Sequence, residues 1–275
     1  MAWFQEKVAV ITGAAGGLGL ALARQCASRG MRLVLADLDA SALDAAAAGL
    51  GGEERCLAHR TDVSRAEDVE ALARAAEERF GAVRLVFNNA GVGVSRTVAE
   101  TTGNDWRWVL GVNLWGVLHG IAAFLPRMKA HGEEARVVNT ASAAGFLSEP
   151  GMGAYSVSKH GVVVVSETLQ KELELEQSRV GVTVICPAYF PTGITFAERS
   201  RPPELASPPP ASALSLEAQR RLEKAVASGR LGADDIAARA LAAVEARQLY
   251  AFTHPKIRLG IEARTRGILG AFPAE

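Results

Sequence analysis

Tyr155 and Lys159 stand four residues apart near the start of a helix predicted over 152–176, so they share one face about a turn apart. A phenol with a reference pKa of about 10 is a poor base at neutral pH, but a neighbouring ammonium favours its anion. Bringing the phenol to neutrality takes roughly 4 kcal/mol of differential stabilisation. Thirteen residues upstream of Tyr155, Ser142 closes the predicted strand 136–141 and adds a hydroxyl. Together the three are suited to moving a proton to or from an oxygen. Taken alone, Tyr-x-x-x-Lys also describes a packing tyrosine and a solvated lysine on an amphipathic helix.

The three side chains meet only if strands and helices alternate. Short β-branched runs near 7–12, 32–36, 55–59, 84–88, 136–141, 181–186 and 249–253 alternate with segments of helical period near 17–29, 40–49, 65–80, 104–130, 152–176 and 233–246. That pattern predicts repeated βαβ units around a parallel sheet. Val182-Thr183-Val184-Ile185 is nearly continuous in apolar character, as in a strand covered on both faces. In such a sheet the C-terminal ends of strands and the N-termini of the following helices face one crevice, which gathers Ser142, Tyr155 and Lys159. Nothing reads as a linker or a repeat, so residues 1–275 are expected to form a single domain. Five of the eleven prolines fall between 202 and 210. They exclude continuous helix there and make 188–230 either a substrate lid or, around 197–215, a disordered insertion. Residues 255–275 read as an amphipathic tail helix.

A second constellation opens the chain. Thr12-Gly13-Ala14-Ala15-Gly16-Gly17-Leu18-Gly19 directly follows the apolar run Lys7-Val8-Ala9-Val10-Ile11. Glycines let backbone approach a phosphate, and the next helix's free N–H groups and dipole favour the anion. The same turn also arises from packing alone. Asp37 lies 18 residues past Gly19, at the end of Leu33-Val34-Leu35-Ala36, where an acid accepts from an adenosine ribose. A carboxylate there repels a 2′-phosphate, and Ala14, Ala15 and Gly16 carry no charge, so NAD is expected rather than NADP.

Thirty basic residues balance thirty acidic ones, which argues against electrostatic capture of nucleic acid or an anionic membrane. Cys26, Cys56 and Cys186 are far apart and suggest buried free thiols in a reducing compartment. No secretion signal or uninterrupted apolar span is legible, so a soluble cytoplasmic protein is expected. His59, His119, His131, His160 and His254 show no metal-ligand spacing, and no metal is assigned.

In their order these motifs resemble the short-chain dehydrogenase/reductase family, from about Lys7 to Thr192 and more loosely to the last strand. Thr12, Gly13, Gly17 and Gly19 match its Thr-Gly-x-x-x-Gly-x-Gly turn, and Asn88, Asn89, Ala90 and Gly91 match its Asn-Asn-Ala-Gly. The resemblance implies a Rossmann-like, doubly wound α/β fold of about seven parallel strands with helices on both faces. It implies hydride transfer between NAD and a secondary alcohol or ketone, with Asn113, Ser142, Tyr155 and Lys159 as the proton-handling tetrad. Tyr155 would be the general acid/base, Ser142 would bond the substrate oxygen, and Lys159 would lower the tyrosine pKa and bind ribose. Asn113 would anchor a relay water, or merely mark a helix bend. Cofactor contacts would come from Gly13, Gly17, Leu18, Gly19, Asp37, Asp62, Val63, Asn89, Ala90, Gly91, Pro187 and Thr192. Asp62 has a second use, capping a helix beginning near Ser64. An NADPH-dependent ketoreductase and a non-catalytic nucleotide-binding regulator are the alternatives.

After the sixth strand the family's Pro-Gly is Pro187-Ala188 here, which would be strained if that backbone required positive φ. Phe146, Leu147, Met152, Tyr189, Phe190 and Phe196 are candidate pocket walls. Uncharged, they suit a bulky, apolar alcohol such as an aryl or steroid-like compound. Apolar surface on the helices at 104–130 and 152–176, including Trp115 and Val164, suggests a homodimer or homotetramer, as in relatives.

Overall fold

Seven apolar runs form strands β1 (Val8–Thr12), β2 (Arg32–Asp37), β3 (Cys56–Arg60), β4 (Val83–Asn88), β5 (Ala135–Thr140), β6 (Val180–Cys186) and β7 (Tyr250–Phe252) in a computed structural model that describes residues 3–273. All pair in parallel, in the order β3-β2-β1-β4-β5-β6-β7. Val10 lies beside Val34 on one side and Val86 on the other. β1, β4 and β5 are buried at every residue, which is why their sequences do not alternate.

The helices are α1 (Gly17–Ala27), α2 (Ala40–Gly49), α3 (Gly52–Arg55), α4 (Ala66–Phe80), α5 (Gly103–Leu110), α6 (Gly116–Ala130), α7 (Gly153–Leu175), α8 (Ala213–Ala227), α9 (Ala233–Glu245) and α10 (Ile257–Leu269). Leu22 of α1, Leu43 of α2 and Leu241 of α9 share a core with Ile11 and Leu33; Leu72 of α4, Phe124 of α6 and Leu173 of α7 share another with Val10 and Val137. Helices therefore cover both faces, and the doubly wound α/β arrangement expected from the sequence is the one adopted. The chain starts mid-sheet, runs outward to β3, then returns to the other side of β1 with β4. The strand order reverses there, and a crevice opens at the strands' C-terminal ends.

Two segments depart from the expectation. The helix foreseen at 104–130 is interrupted by a π-helical turn at Gly111–Trp115 that carries Asn113. The whole run Gly103–Ala130 is long and apolar enough by composition to span a bilayer; here Val117, Phe124 and Met128 bury its face against the sheet and its neighbours. The proline-rich segment is packed rather than a loose insertion. Short 3₁₀ turns at Gly193–Ser200 and Pro203–Leu205 lead into α8, which the sequence reading did not foresee. Glu100 accepts from the N–H and Oγ of Ser212 at 2.8 and 2.6 Å, anchoring the start of α8. Arg201 reaches back to Asp105 on α5 at 2.9 Å, and Arg96 meets the same carboxylate at 3.4 Å. The tail folds as α10, whose Leu259 and Ile268 remain exposed.

Candidate active site

The glycine turn is built at backbone contact distance. A Cβ on Gly19 would stand 2.0 Å from the Gly13 carbonyl oxygen, and one on Gly13 would stand 2.9 Å from the Ala90 Cα. Gly13 and Gly17 have φ of 66° and 52°, where glycine carries no steric penalty. Thr12 and Asn89 lock this turn to the loop after β4: the Thr12 hydroxyl accepts from the N–H groups of Asn89 and Ala90 at 2.9 and 3.0 Å, and Asn89 Nδ2 donates to Thr12 O at 2.9 Å. α1 then starts with no side-chain cap and no acidic residue in its first turn. Its first N–H groups, at Gly17, Leu18 and Gly19, line a cavity of about 1220 Å³. Open donors without a competing carboxylate fit an anion such as a pyrophosphate.

Asp37 closes β2 in the same cavity, its Oδ2 accepting from Ala15 N–H at 3.0 Å and its Oδ1 from Asp39 N–H at 3.2 Å. The carboxylate thus also shapes the turn. Asp62 and Val63 line the wall beyond it. α4 begins at Ala66 with Arg65 as its N-cap, so Asp62 does not cap that helix; its Oδ1 instead accepts from Ser64 N–H and Oγ at 2.9 and 2.7 Å. Val63 packs under Gly116, where a Cβ would approach its side chain to 2.8 Å.

Across the cavity Ser142, Tyr155 and Lys159 come together as expected. Ser142 Oγ donates to the Pro187 carbonyl at 3.3 Å and accepts from Ala144 N–H, and it hydrogen-bonds the Tyr155 phenol. Lys159, 3% exposed, donates from Nζ to the Thr140 carbonyl at 2.8 Å and lies 5.6 Å from the Tyr155 ring centre. The net shift of the tyrosine here is upward. Burial pushes the phenol up to about 12 against the Ser142 hydrogen bond, and burial also brings Lys159 down to about 8. Asn113 lies on α7's near side, where Nδ2 donates to Val92 O and Ser158 Oγ at 2.9 and 3.1 Å while Oδ1 accepts from Val92 N–H at 2.8 Å. Both amide hydrogens are spent on holding the loop after Gly91 to α7.

Pro187 and Thr192 close the cavity above the turn. Thr192 Oγ1 would be 3.3 Å from a Cβ on Gly17. Ala188 is not strained, because its φ is not positive. Leu147, Met152, Tyr189 and Phe190 line the cavity, but Phe146 and Phe196 do not. Phe146 packs instead edge-on and tilted against Tyr250 and Phe252, at 6.0 and 5.2 Å between ring centres, and Phe196 is 69% exposed.

A family model for short chain dehydrogenases matches residues 7–202. The chain belongs to the short-chain dehydrogenase family. A short-chain dehydrogenase/reductase from Burkholderia phymatum, solved in complex with NAD, is 47% identical over 99% of this chain and 98% of its own, with a TM-score of 0.94. The C alpha-dehydrogenase of a Sphingobium strain is 33% identical, with 97% of this chain and 86% of that protein covered. The NADP-dependent (R)-specific alcohol dehydrogenase of Lentilactobacillus kefiri is 36% identical over 68% of this chain and 74% of its length. The chain is therefore an oxidoreductase of this family with a nicotinamide cofactor and a small-molecule substrate.

The cavity of this short-chain dehydrogenase also includes residues that the sequence reading missed. Trp108 enters from α5, Val226 from α8, and His254 and Lys256 from the segment after β7. Glu149 and Arg199 bring charge to a wall expected to be uncharged. His254 had one usable signal: it stands two residues past the last strand, at the same edge of the sheet as Ser142.

Proposed function

We propose that the chain is an NAD-dependent dehydrogenase of secondary alcohols, with Tyr155 as general acid/base. The observation that carries this reading is the convergence of the Tyr155 phenol, the Ser142 hydroxyl and the Lys159 ammonium at one end of a cavity whose other end is the glycine turn and Asp37. Bound NAD supplies the hydride acceptor and a positive ring; Gly17, Leu18, Gly19, Asp37 and Thr192 are the residues placed to hold it. Ser142 orients the substrate hydroxyl, Tyr155 takes its proton, and Lys159 stabilises the resulting phenolate by charge while reaching the ribose. Asn113 keeps the floor of the site in register. Asp37 favours NAD over NADP by charge. Leu147, Met152, Tyr189 and Val226 suit a bulky, largely apolar substrate, with the segment 188–230 as its lid within a single 1–275 domain. A cytoplasmic protein, paired through exposed Trp115, Val157 and Val164 into a homodimer or homotetramer, completes the proposal.

The test is a panel of secondary alcohols with NAD and NADP, followed by the absorbance of the reduced nicotinamide. NAD-linked oxidation of aryl alcohols is expected. Tyr155→Phe should lower kcat by roughly 10²–10⁴ with NAD binding nearly intact. Full activity in that variant, or equal kcat/KM with NADP, would refute the corresponding part of the reading.

A further inference from the structure

His254 lines the cavity, yet its Nε2 is buried without a hydrogen-bond partner among the described residues. The surroundings determine which ring nitrogen carries the proton. Nδ1 accepts from the backbone N–H of Ala188 at 3.2 Å, so it holds no hydrogen of its own, and Thr253 Oγ1 at 2.8 Å from it is a second donor. Burial and then the Arg239 charge hold the ring below the usual histidine value, which keeps it neutral. The single ring proton therefore sits on Nε2. A buried donor with no acceptor is unfavourable, so one that a native site keeps calls for an acceptor.

One peptide unit ties this donor to the reacting end. The Pro187 carbonyl accepts from Ser142 Oγ and from Ala143 N–H, at 3.3 and 2.7 Å, while the N–H of the same peptide, on Ala188, donates to His254. Because the peptide is planar, it sets a fixed spacing between the Ser142 hydroxyl and the imidazole. Leu147, Tyr189, Val226 and Ile257 supply mostly apolar wall to the same cavity.

We propose that His254 Nε2–H binds an oxygen acceptor on the substrate, away from the reacting carbon, and so selects secondary alcohols that carry a second oxygen. This inference rests on the alcohol-dehydrogenase reading above and narrows its substrate class.

The test uses two substitutions that divide the ring's functions. His254→Asn leaves an acceptor where Nδ1 serves Ala188 but removes the distant donor; His254→Gln keeps a donor near the Nε2 position. The probes are the meta and para isomers of (1-hydroxyethyl)benzamide, each against the alcohol in which isopropyl replaces the carboxamide. The wild type should show a KM about tenfold lower for one amide isomer than for its isopropyl partner. His254→Asn should abolish that preference while changing kcat, the Kd for NAD and Tm little, and His254→Gln should restore most of it. No preference in the wild type, or an equal rise in KM for both members in His254→Asn, would overturn the proposal. So would a loss confined to NAD binding, which would assign the donor to the cofactor. Absence of turnover with every secondary alcohol would overturn the alcohol reading and this inference with it, whereas turnover without the amide preference overturns this inference alone.

Discussion

Lys159 donates to the Thr140 carbonyl at 2.8 Å, so its ammonium is fixed against the end of β5 rather than against the phenol one helical turn away. Among the described residues the Thr140 carbonyl is the one hydrogen-bond acceptor this ammonium meets. Tyr155 is thus held as a protonated phenol until further positive charge arrives.

The pH behaviour follows from the two burial effects. Tyr155 at about 12 keeps its proton in the folded chain above the ordinary value of 10, so it contributes stability that is present below pH 10 and lost as pH rises through about 12. Lys159 at about 8 has the opposite sign: it penalises the folded state below pH 8, and the penalty fades as pH rises to about 10.5. Lys159→Met should therefore raise Tm most below pH 8, and the difference from wild type should shrink above that pH. In kinetics, the alkaline-rising limb of kcat/KM for alcohol oxidation should move to higher pH in the same variant. An unmoved limb would show that Lys159 does not tune Tyr155.

Asp37 both accepts from Ala15 N–H and presents charge to the cavity. Asp37→Asn keeps an acceptor for that N–H and removes the charge. The preference for NAD over NADP in kcat/KM should fall by roughly tenfold or more, with Tm little changed. An unchanged ratio would mean that charge at this position does not choose the cofactor.

Much of this site was legible because the family's motifs are short and tied to backbone geometry. The glycine turn, Asn89 and Asp37 appear in sequence as they act in space, through contacts at the sheet's C-terminal edge. Tertiary context decided the rest. Its place between Ser142 and Tyr155 makes Phe146 a pocket wall in sequence, but Tyr250 and Phe252, over a hundred residues later, draw it into an aromatic cluster. Burial likewise outweighs the Ser142 hydrogen bond at Tyr155, and desolvation cannot be read from a four-residue spacing. α8 escaped notice because the prolines before it masked a helix start that is set by Ser212 and Glu100.

Gly19 is a position where the turn tolerates no side chain. A Cβ there would meet the Gly13 carbonyl at 2.0 Å and Asn89 Nδ2 at 2.8 Å, whereas one on Gly16, in extended backbone, would meet nothing within 4 Å. Gly19→Ala should cost about 1–3 kcal/mol of stability and weaken NAD binding by about tenfold or more. Gly16→Ala should change the fold's stability little. Thermal melts and fluorescence titration with NAD measure both, and equal behaviour of the two variants would contradict the contact argument.

Arg201 links the proline-rich segment to α5 through a carboxylate that is fully buried. Asp105 bonds Arg201 at 2.9 Å and Arg96 at 3.4 Å, while the Arg201 guanidinium lies 4.0 Å from the centre of the Trp108 ring, which is part of the cavity wall. Burial pushes the Asp105 carboxyl up, but Thr102 hydrogen bonds and the Arg96 charge leave it below the usual value. Its stabilising contribution is therefore present above about pH 4 and lost as pH falls through the native value. Arg201→Met removes one of two cations, leaving Asp105 paired only with Arg96, so the loss of stability should fall near the lower end of the range for a broken buried pair, about 3 kcal/mol. Because Trp108 loses the guanidinium stacked on it, KM for the alcohol should rise more than the Kd for NAD. Arg201→Lys should recover only part of each effect, since an ammonium lacks the planar fork that meets Asp105 and stacks on Trp108. Equal changes in alcohol KM and NAD Kd would instead indicate a general loosening of the crevice.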